Sequence, residues 1–362
     1  MPINISNLLT LRYDPTSTLP NPSIRVITPK EILHYRKSLF AEKNNANTPS
    51  HRDVEIELRN IIRAKIEELS TKRISVALSA GIDSNVIFSL IRREFPNINI
   101  HCITVSFNYD LREVQSAKEI AESHNAIFHS VHVQNPLKDL PMLLNIIKEP
   151  RWNIYQFYFI KKARSISNVL FSGDGGDELF AGYIFRYKKF LENNKTNFSW
   201  LDKVRLYLTC HERDWVPDQQ EMFGTKIKFS WSSVYQLLRK YFDNKLDPLE
   251  QVLLADYHGK LMYDFIPTND KYFGYFGING VSPFLSSNII NLSLRIPAYQ
   301  KYDLAENLGK IPLHKILKDN IPLFYSPEER RKKTGFGMDL MKLWLGEGKE
   351  IVMAHLDKGR IF

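Results

Sequence analysis

Short apolar runs alternate with stretches of helical periodicity between residues 74 and 190. This alternation is typical of parallel strands connected by helices, and it restricts the chain to the α/β class. The predicted strands are Ile74–Leu78, Ile100–Phe107, Ile127–Val133 and Val169–Phe171. The predicted helices are Asn85–Phe95, Arg112–His124, Leu137–Ile147, Gln156–Ser165 and Asp177–Phe190. We therefore predict a doubly wound parallel sheet, followed by a mainly helical C-terminal part.

The loop after the first predicted strand is made of small and polar residues. It reads Ser79-Ala80-Gly81-Ile82-Asp83-Ser84 and leads into a helix. Backbone N–H groups in the first turn of a helix have no partner within the helix, so they bind anions such as phosphate. Ser79 and Ser84 would add hydroxyl donors, and a positive φ at Gly81 would turn the chain. Asp83 would hold a magnesium ion that bridges phosphate oxygens. An ordinary βα turn is the alternative.

A second polar motif follows the fourth predicted strand. It runs from Ser172 to Tyr183, and its first seven residues contain three glycines and three acids. Acids at this density repel one another unless a cation lies among them. A metal–nucleotide complex shared with Asp83 would explain them, with Asp177 as the second metal ligand. Capping of helix N-termini by Asp83 and Asp177 is the alternative. Both motifs lie at carboxyl ends of strands, where ligands bind such sheets.

Together the two motifs resemble the signatures of the asparagine synthetase family. Its synthetase domain has a phosphate loop of the form Ser-Gly-Gly-x-Asp-Ser and a second signature, Ser-Gly-(Glu/Asp)-Gly-x-Asp-Glu-(Leu/Val)-Phe-x-Gly-Tyr. Residues 172–183 match the second signature almost completely, whereas Ala80 replaces a glycine of the first and Asn85 stands where serine is common. The resemblance implies an ATP-pyrophosphatase fold, similar to that of the adenine nucleotide alpha-hydrolases.

The resemblance continues at lower quality to about residue 345. Asp270-Lys271 falls on an Asp-Arg pair of the family, and Pro283-Phe284-Leu285 begins a Pro-Phe-Leu-Asp signature that ends here in Ser286. Asn279 and Val281 replace a glutamate and an arginine. These losses lie on the acceptor side of the family's site, so aspartate is an uncertain acceptor.

Two basic segments near the C-terminus also resemble family motifs. Lys315–Lys318 is similar to Lys-x-Leu-Arg, and Arg331–Phe336 is similar to Arg-x-Lys-x-Gly-Phe. The second places Lys333 at the position of the family's active-site lysine. A solvated surface lysine is the alternative, because Lys333 lies in a run of four basic residues.

The resemblance implies ATP and magnesium as cofactors and a reaction in two steps, adenylation of a carboxylate followed by amide formation. The residues implied for nucleotide binding are Leu78, Ser79, Gly81, Asp83, Ser84, Val105 and Gly173. Asp83 and Asp177 would hold magnesium. Lys333 would offset charge at the α-phosphate, and Asp174, next to the reacting phosphate, would position groups or transfer a proton.

The nitrogen source is open. Glutamine-dependent members of the family carry an N-terminal amidohydrolase domain with a cysteine directly after the initiator Met, whereas residue 2 here is Pro2 and fewer than 80 residues precede the phosphate loop. We therefore expect a chain without that domain. It would take ammonia, free or from a separate glutaminase subunit, or an amine, and join it to a small-molecule carboxylate. Homo-oligomerisation stays open.

Composition is that of a soluble globular enzyme, with 43% hydrophobic and 25% charged residues among 362. The net charge of +9 would suit nucleic acid, but the basic residues are dispersed, so we do not expect a nucleic-acid partner. Two cysteines are too few for a disulfide framework. No apolar run approaches the roughly 20 residues that span a bilayer. We therefore expect cytoplasmic residence.

The chain divides by pattern into three segments. Residues 1–52 are rich in turn-forming residues and predict a peripheral N-terminal arm. Residues 53–190 predict the ATP-pyrophosphatase nucleotide-binding domain, which starts with an amphipathic helix over Val54–Leu69. Residues 191–362 predict a mainly helical part that completes the site.

Two other classes of function remain open. An enzyme that adenylates a tRNA base would suit the positive charge, although the second signature belongs to the amide-forming branch. A catalytically silent nucleotide-binding subunit of a complex is the other, because the acceptor-side residues are altered. Retention of Asp83, Asp177 and Lys333 favours the ligase.

Overall fold

The computed structural model describes residues 4–16, 21–41, 48–107, 111–148, 155–214 and 229–320, together with residues 350 and 354. Its sheet has the order β3-β2-β1-β4-β5, and every neighbouring pair is parallel. The strands are β1 (Arg73–Ala77), β2 (Asn99–Phe107), β3 (Ile127–Val133), β4 (Val169–Phe171) and β5 (Asn279–Val281). The order reverses at β1, so right-handed crossovers place helices on both faces. The predicted doubly wound parallel sheet is confirmed.

Helices make up most of the remaining described chain. The first group is α1 (Ile5–Leu11), α2 (Pro29–Ala41), α3 (His51–Glu68), α4 (Ile82–Glu94), α5 (Leu111–Ser123), α6 (Leu140–Ile147), α7 (Tyr155–Arg164) and α8 (Gly176–Phe180). The second group is α9 (Ile184–Asn193), α10 (Trp200–Cys210), α11 (Trp231–Phe242), α12 (Pro248–Asp256), α13 (Ile266–Phe276), α14 (Ser287–Arg295), α15 (Ala298–Lys301) and α16 (Ile311–Asn320). A π-helical segment, Tyr257–Phe265, joins α12 to α13. No helix within the described ranges has the length and apolar character needed to cross a bilayer.

Most predicted boundaries lie close to the observed ones, but one predicted helix is wrong and one strand was not predicted. The predicted helix Asp177–Phe190 is wrong as one element, because α8 ends at Phe180 and α9 begins at Ile184. Ala181 has a φ of 64°, a left-handed conformation that ends α8. β5 has no counterpart among the predicted strands, since it is only three residues long and contains Gly280.

The chain forms two compact units. Unit 1 is drawn from Met1–Glu57, Gly175–Pro267 and Phe284–Lys315, and unit 2 from Leu58–Asp174, Thr268–Pro283 and Ile316–Phe362. These units differ from the predicted division at 52 and 190, because each collects stretches that are distant in the sequence. The predicted N-terminal arm supplies buried residues to unit 1, among them Leu11, Tyr13 and Ile27.

Unit 2 contains the sheet, and its core lies along β1, β2 and β4. Ile74, Val76 and Phe171 are fully buried, which fits strands covered on both faces. The core of unit 1 includes a polar hub. The buried Asp256 carboxylate accepts hydrogen bonds from Tyr187 and Tyr207 and pairs with His211 at 2.9 Å.

Candidate active site at the carboxyl ends of β1 and β4

The loop between β1 and α4 is closed by its own polar groups. Ser79 N–H donates to Ser84 Oγ at 3.1 Å, and Gly81 N–H donates to Ser79 Oγ at 3.0 Å. Ser84 Oγ lies within 3.3 Å of the carbonyl oxygens of Ser79 and Gly81. Asn85 Nδ2 donates to the same two oxygens at 2.9 and 2.6 Å. Residues predicted to meet a phosphate therefore also fix the shape of the loop.

Gly81 does not turn the chain with a positive φ, so this prediction is wrong. Its φ is −74° and its ψ 154°, the extended conformation usual for a helix N-cap. α4 begins at the next residue, Ile82. The N–H groups of its first turn thus face the loop, as a phosphate site requires.

The second motif meets the phosphate loop at Gly173, inside unit 2. A Cβ atom added to Gly173 would lie 2.8 Å from the Asp83 Cβ and from the Ser84 backbone nitrogen. Such a contact is too short for any side chain, so only glycine allows the two chain segments to approach. The structure thereby brings together Asp83, Ser84 and Gly173, which the sequence predicts for one nucleotide site.

Leu78 and Val105, two of the residues predicted for nucleotide binding, lie near the ends of neighbouring strands. The Leu78 N–H donates to the Ile103 carbonyl oxygen at 3.0 Å, and the Leu78 carbonyl accepts from Thr104 Oγ1 at 2.6 Å. Val105 follows on β2 and is buried. Contact of either residue with a nucleotide stays a prediction.

Two side chains donate hydrogen bonds to Asp174 inside unit 2. Asp174 Oδ2 accepts from Ser172 Oγ at 2.7 Å and from Asn269 Nδ2 at 2.9 Å. Ser172 Oγ also lies 2.8 Å from Ser282 Oγ. Ser172 and Ser282 directly follow the paired strands β4 and β5, which brings the two hydroxyls together. Because Ser172 uses its one proton on the carboxylate, Ser282 must donate to Ser172.

Asp177 lies in unit 1, where Lys310 forms an ion pair with it. Lys310 is buried, whereas a quarter of the Asp177 side chain is exposed. A Cβ atom at Gly182 would overlap both side chains, so any other residue there would have to displace the pair. The Lys310 N–H donates to the Phe180 carbonyl oxygen at 2.8 Å, and Lys310 has a φ of 54°. A non-glycine residue in this conformation persists only where its surroundings impose it.

The neighbouring acid, Glu178, is buried and has a different role. Burial, reinforced by the charge of Asp177, raises the pKa of Glu178 to about 8, although a hydrogen bond from Tyr183 Oη at 2.6 Å opposes the shift. Glu178 is thus enclosed and hydrogen-bonded, whereas the Asp177 side chain is partly exposed. Asp177 is therefore the better candidate for a magnesium ligand.

The two predicted metal ligands are not helix N-caps. The N-cap of α4 is Gly81 and that of α8 is Gly175, so Asp83 and Asp177 each lie within a first turn. Their carboxylates are the oxygen ligands that magnesium takes, and this ion commonly binds one or two carboxylates together with substrate phosphates. The residues fit the ion. Among the described residues, no group of three or more acids, histidines and cysteines could hold a metal. Joint binding by Asp83 and Asp177 stays a prediction, since they belong to different units.

The remaining predictions concern Lys333 and the acceptor side. Lys333 lies outside the described residues. Asn279 is exposed at the start of β5, where its Nδ2 donates to the Asn168 carbonyl oxygen. Val281 is buried in β5, and Ser286 caps α14 by accepting the Ile289 N–H. The altered positions thus have structural roles.

Three residues of the candidate site were not predicted: Lys310, Asn269 and Ser282. Each contacts the second motif from a distant part of the sequence, so no local pattern marks it. The only available signal was indirect, namely that a loop with three acids requires positive charge and hydrogen-bond donors from elsewhere.

The parallel sheet and the two polar loops at its carboxyl edge define an α/β protein with a strand-loop-helix site. Residues 54–361 match the asparagine synthase family, and the chain belongs to it. It is 25% identical over 301 residues to the glutamine-hydrolysing asparagine synthetase 1 of Bacillus subtilis (strain 168), an alignment that covers 74% of this chain and 46% of that protein. It is 27% identical over 163 residues to the enzyme of Gallus gallus, which covers 39% and 28%.

The chain thus spans less than half the length of these relatives. Among solved structures, the NMN synthetase from Francisella tularensis is similar with a TM-score of 0.32 and 17% identity, covering 58% of this chain and 95% of that one. This likeness is weak, so the fold assignment rests on the sheet itself.

Proposed function

We propose that this chain is an ATP-dependent amide-forming ligase that releases AMP and pyrophosphate. The observation that carries the proposal is the close approach of Gly173 to Asp83 and Ser84. This contact brings the phosphate loop and the start of the second family signature together within unit 2. Membership of the asparagine synthase family supports the same reaction class.

In the first step, a substrate carboxylate oxygen attacks the α-phosphorus of ATP, and the bond to pyrophosphate breaks. The loop Ser79–Ser84, which includes Gly81, would hold the leaving pyrophosphate through the Ser79 and Ser84 hydroxyls and the unpaired N–H groups in the first turn of α4. Asp83 and Asp177 would hold magnesium, which supplies charge neutralisation for the phosphates. Lys333 would offset charge on the α-phosphate.

In the second step, a nitrogen nucleophile attacks the acyl carbon of the adenylate. A C–N bond forms, the bond from the acyl carbon to AMP breaks, and nitrogen loses a proton. Asp174 is a carboxylate fixed by Ser172 and Asn269, so it would position the nucleophile or accept that proton. Ammonia, free or from a separate glutaminase subunit, or an amine would supply the nitrogen.

The test is pyrophosphate release from ATP and magnesium by the purified chain, with ammonium and a panel of carboxylic acids that includes aspartate. Release that depends on one acid, with stoichiometric AMP, would support the ligase. Asp83→Ala should abolish the release. Asp202→Ala is the matched control, because Asp202 also lies in a first helical turn but belongs to the capping box of α10. Hydrolysis to ADP, or no dependence on any acid, would contradict the proposal.

A further inference from the structure

The Asn269 side chain is almost completely buried, and among the described residues only its amide nitrogen has a hydrogen-bond partner. The residue is 5% exposed. Its Nδ2 donates to Asp174 Oδ2 at 2.9 Å. Its Oδ1 is buried and has no hydrogen-bond partner among the described residues. A buried amide oxygen without a donor costs about 1–3 kcal/mol, which makes such an atom a candidate for ligand binding.

The orientation of this carboxamide is fixed by chemistry. An ionised carboxylate can only accept hydrogen bonds, so the amide must present Nδ2 to Asp174. Oδ1 is bonded to the same carbon as the Nδ2 that donates to Asp174. The two residues together present hydrogen-bond acceptors, and the group that matches them carries several N–H donors.

We propose that Asn269 binds the nitrogen nucleophile of the reaction, accepting one of its N–H bonds at Oδ1 while Asp174 accepts another. The ligand class is ammonia or a primary amine. This inference rests on the proposed function and adds the residue that would recognise the nucleophile. Asn269 also positions Asp174 through its Nδ2. Ser282 supports Asp174 only indirectly, through its hydrogen bond with Ser172.

Variants of Asn269 and Ser282 can be compared to separate binding of the nucleophile from positioning of Asp174. Asn269→Leu keeps the size of the side chain and removes both the donor and the acceptor. Ser282→Ala removes only the indirect support of Asp174. The two half-reactions are measured separately, as exchange of labelled pyrophosphate into ATP with the active acid alone, and as amide formation with ammonium chloride.

We expect Asn269→Leu to raise the KM for ammonium about tenfold, which corresponds to one lost hydrogen bond, and to leave pyrophosphate exchange within about twofold. Ser282→Ala should raise the KM for ammonium clearly less than Asn269→Leu does, because it removes only the indirect support of Asp174 through Ser172. If the leucine variant does not fold, as judged by thermal melting, Asn269→Ala takes its place.

Three results would overturn the inference. The first is an unchanged KM for ammonium in the Asn269 variant, and the second is an equal rise in the Ser282 variant. The third is a parallel loss of exchange and amide formation, which would make Asn269 a general structural residue. Absence of acid-dependent exchange in the unaltered chain would overturn the proposed function as well. Normal exchange with an unchanged KM would overturn this inference alone.

Discussion

The two family signatures are held in place in opposite ways. In the phosphate loop, Ser79, Gly81, Ser84 and Asn85 bond to one another over at most six positions in the sequence. In the second signature, Glu178 bonds locally to Tyr183, whereas Asp174 and Asp177 also take partners from far away. Asn269 lies 95 positions from Asp174, and Ser282 lies 110 positions from Ser172.

This difference indicates what each signature needs in order to work. The phosphate loop is a local unit that sets its own shape and requires only the strand before it and the helix after it. The second signature carries carboxylates, and its Asp174 and Asp177 depend on donors and positive charge that later parts of the chain deliver. Variants that remove local bonds and variants that remove distant partners should therefore have different consequences.

The largest effect is expected where a carboxylate is proposed to hold magnesium. Asp83→Ala and Asp177→Ala should each lower the rate of pyrophosphate release by at least about a thousandfold, because several kcal/mol of charge stabilisation disappear. Initial rates at saturating ATP provide the measurement, with Asp202→Ala as control. Unchanged turnover in either variant would refute its role as a metal ligand.

The next effect concerns the distant partner of Asp177. Lys310→Met should lower the free energy of unfolding by about 2 kcal/mol in the absence of magnesium, because it leaves a partly buried carboxylate without its cation. Denaturant titration provides the measurement. In an Asp177→Asn background the same substitution should cost much less, and equal costs in both backgrounds would show that the pair is not coupled.

A smaller effect is expected within the phosphate loop. Asn85→Ala removes the donor to the Ser79 and Gly81 carbonyl oxygens, and it should lower the free energy of unfolding by about 1.5 kcal/mol and raise the KM for ATP. Asn85→Ser, which restores the residue common in the family, is the matched variant and should lose less. If Lys310→Met raised the KM for ATP and Asn85→Ala did not, ATP binding would depend on the distant partner of Asp177 and not on the local bonds of the phosphate loop.

The smallest effect concerns Lys301, a buried lysine of unit 1. Within the described part of the chain, the Lys301 Nζ has one hydrogen bond, to Ser293 Oγ at 2.9 Å. Burial, assisted by the charge of Arg36 and opposed by that of Glu250, lowers the pKa of Lys301 to about 7. The unfolded chain keeps the proton up to about pH 10.4. Between these values the unfolded state binds more protons, so stability rises with pH.

Lys301→Met should remove this rise. The difference in free energy of unfolding between the unaltered chain and Lys301→Met should therefore shift by about 1 kcal/mol in favour of the unaltered chain from pH 7 to pH 8. From pH 5 to pH 6 it should stay constant. Denaturant titrations at the four pH values provide the measurement. A constant difference across them would show that Lys301 keeps its proton in the folded chain.

The local half of the site could be predicted from the sequence, and the distant half could not. The limits of β3 and β4 follow from their apolar runs, and β1 and α4 lie within a few residues of the predicted positions. The contact between Gly173 and Asp83 follows from parallel strand order, which places successive strand ends on one edge. The φ of Gly81 was wrongly predicted, because an N-cap requires an extended conformation that glycine also adopts.

Other features depend on tertiary packing. Lys310 and Asn269 carry no motif, and their positions beside Asp177 and Asp174 result from folding of separate stretches into the two units. The break between α8 and α9 follows from the same cause, since the Lys310 N–H takes the Phe180 carbonyl oxygen at the end of α8. Gly182 is a local sign of the break, which the predicted helix Asp177–Phe190 passed over.

The most direct test of the account follows the oxygen atoms of the substrate. The acid that supports pyrophosphate release is prepared with oxygen-18 in its carboxyl group, and the products formed with ammonium are examined by mass spectrometry. Attack of the carboxylate on the α-phosphorus predicts AMP that carries one oxygen-18 atom, and amide that has lost one. Label in inorganic phosphate, or AMP without label, would contradict adenylation and with it the proposed function.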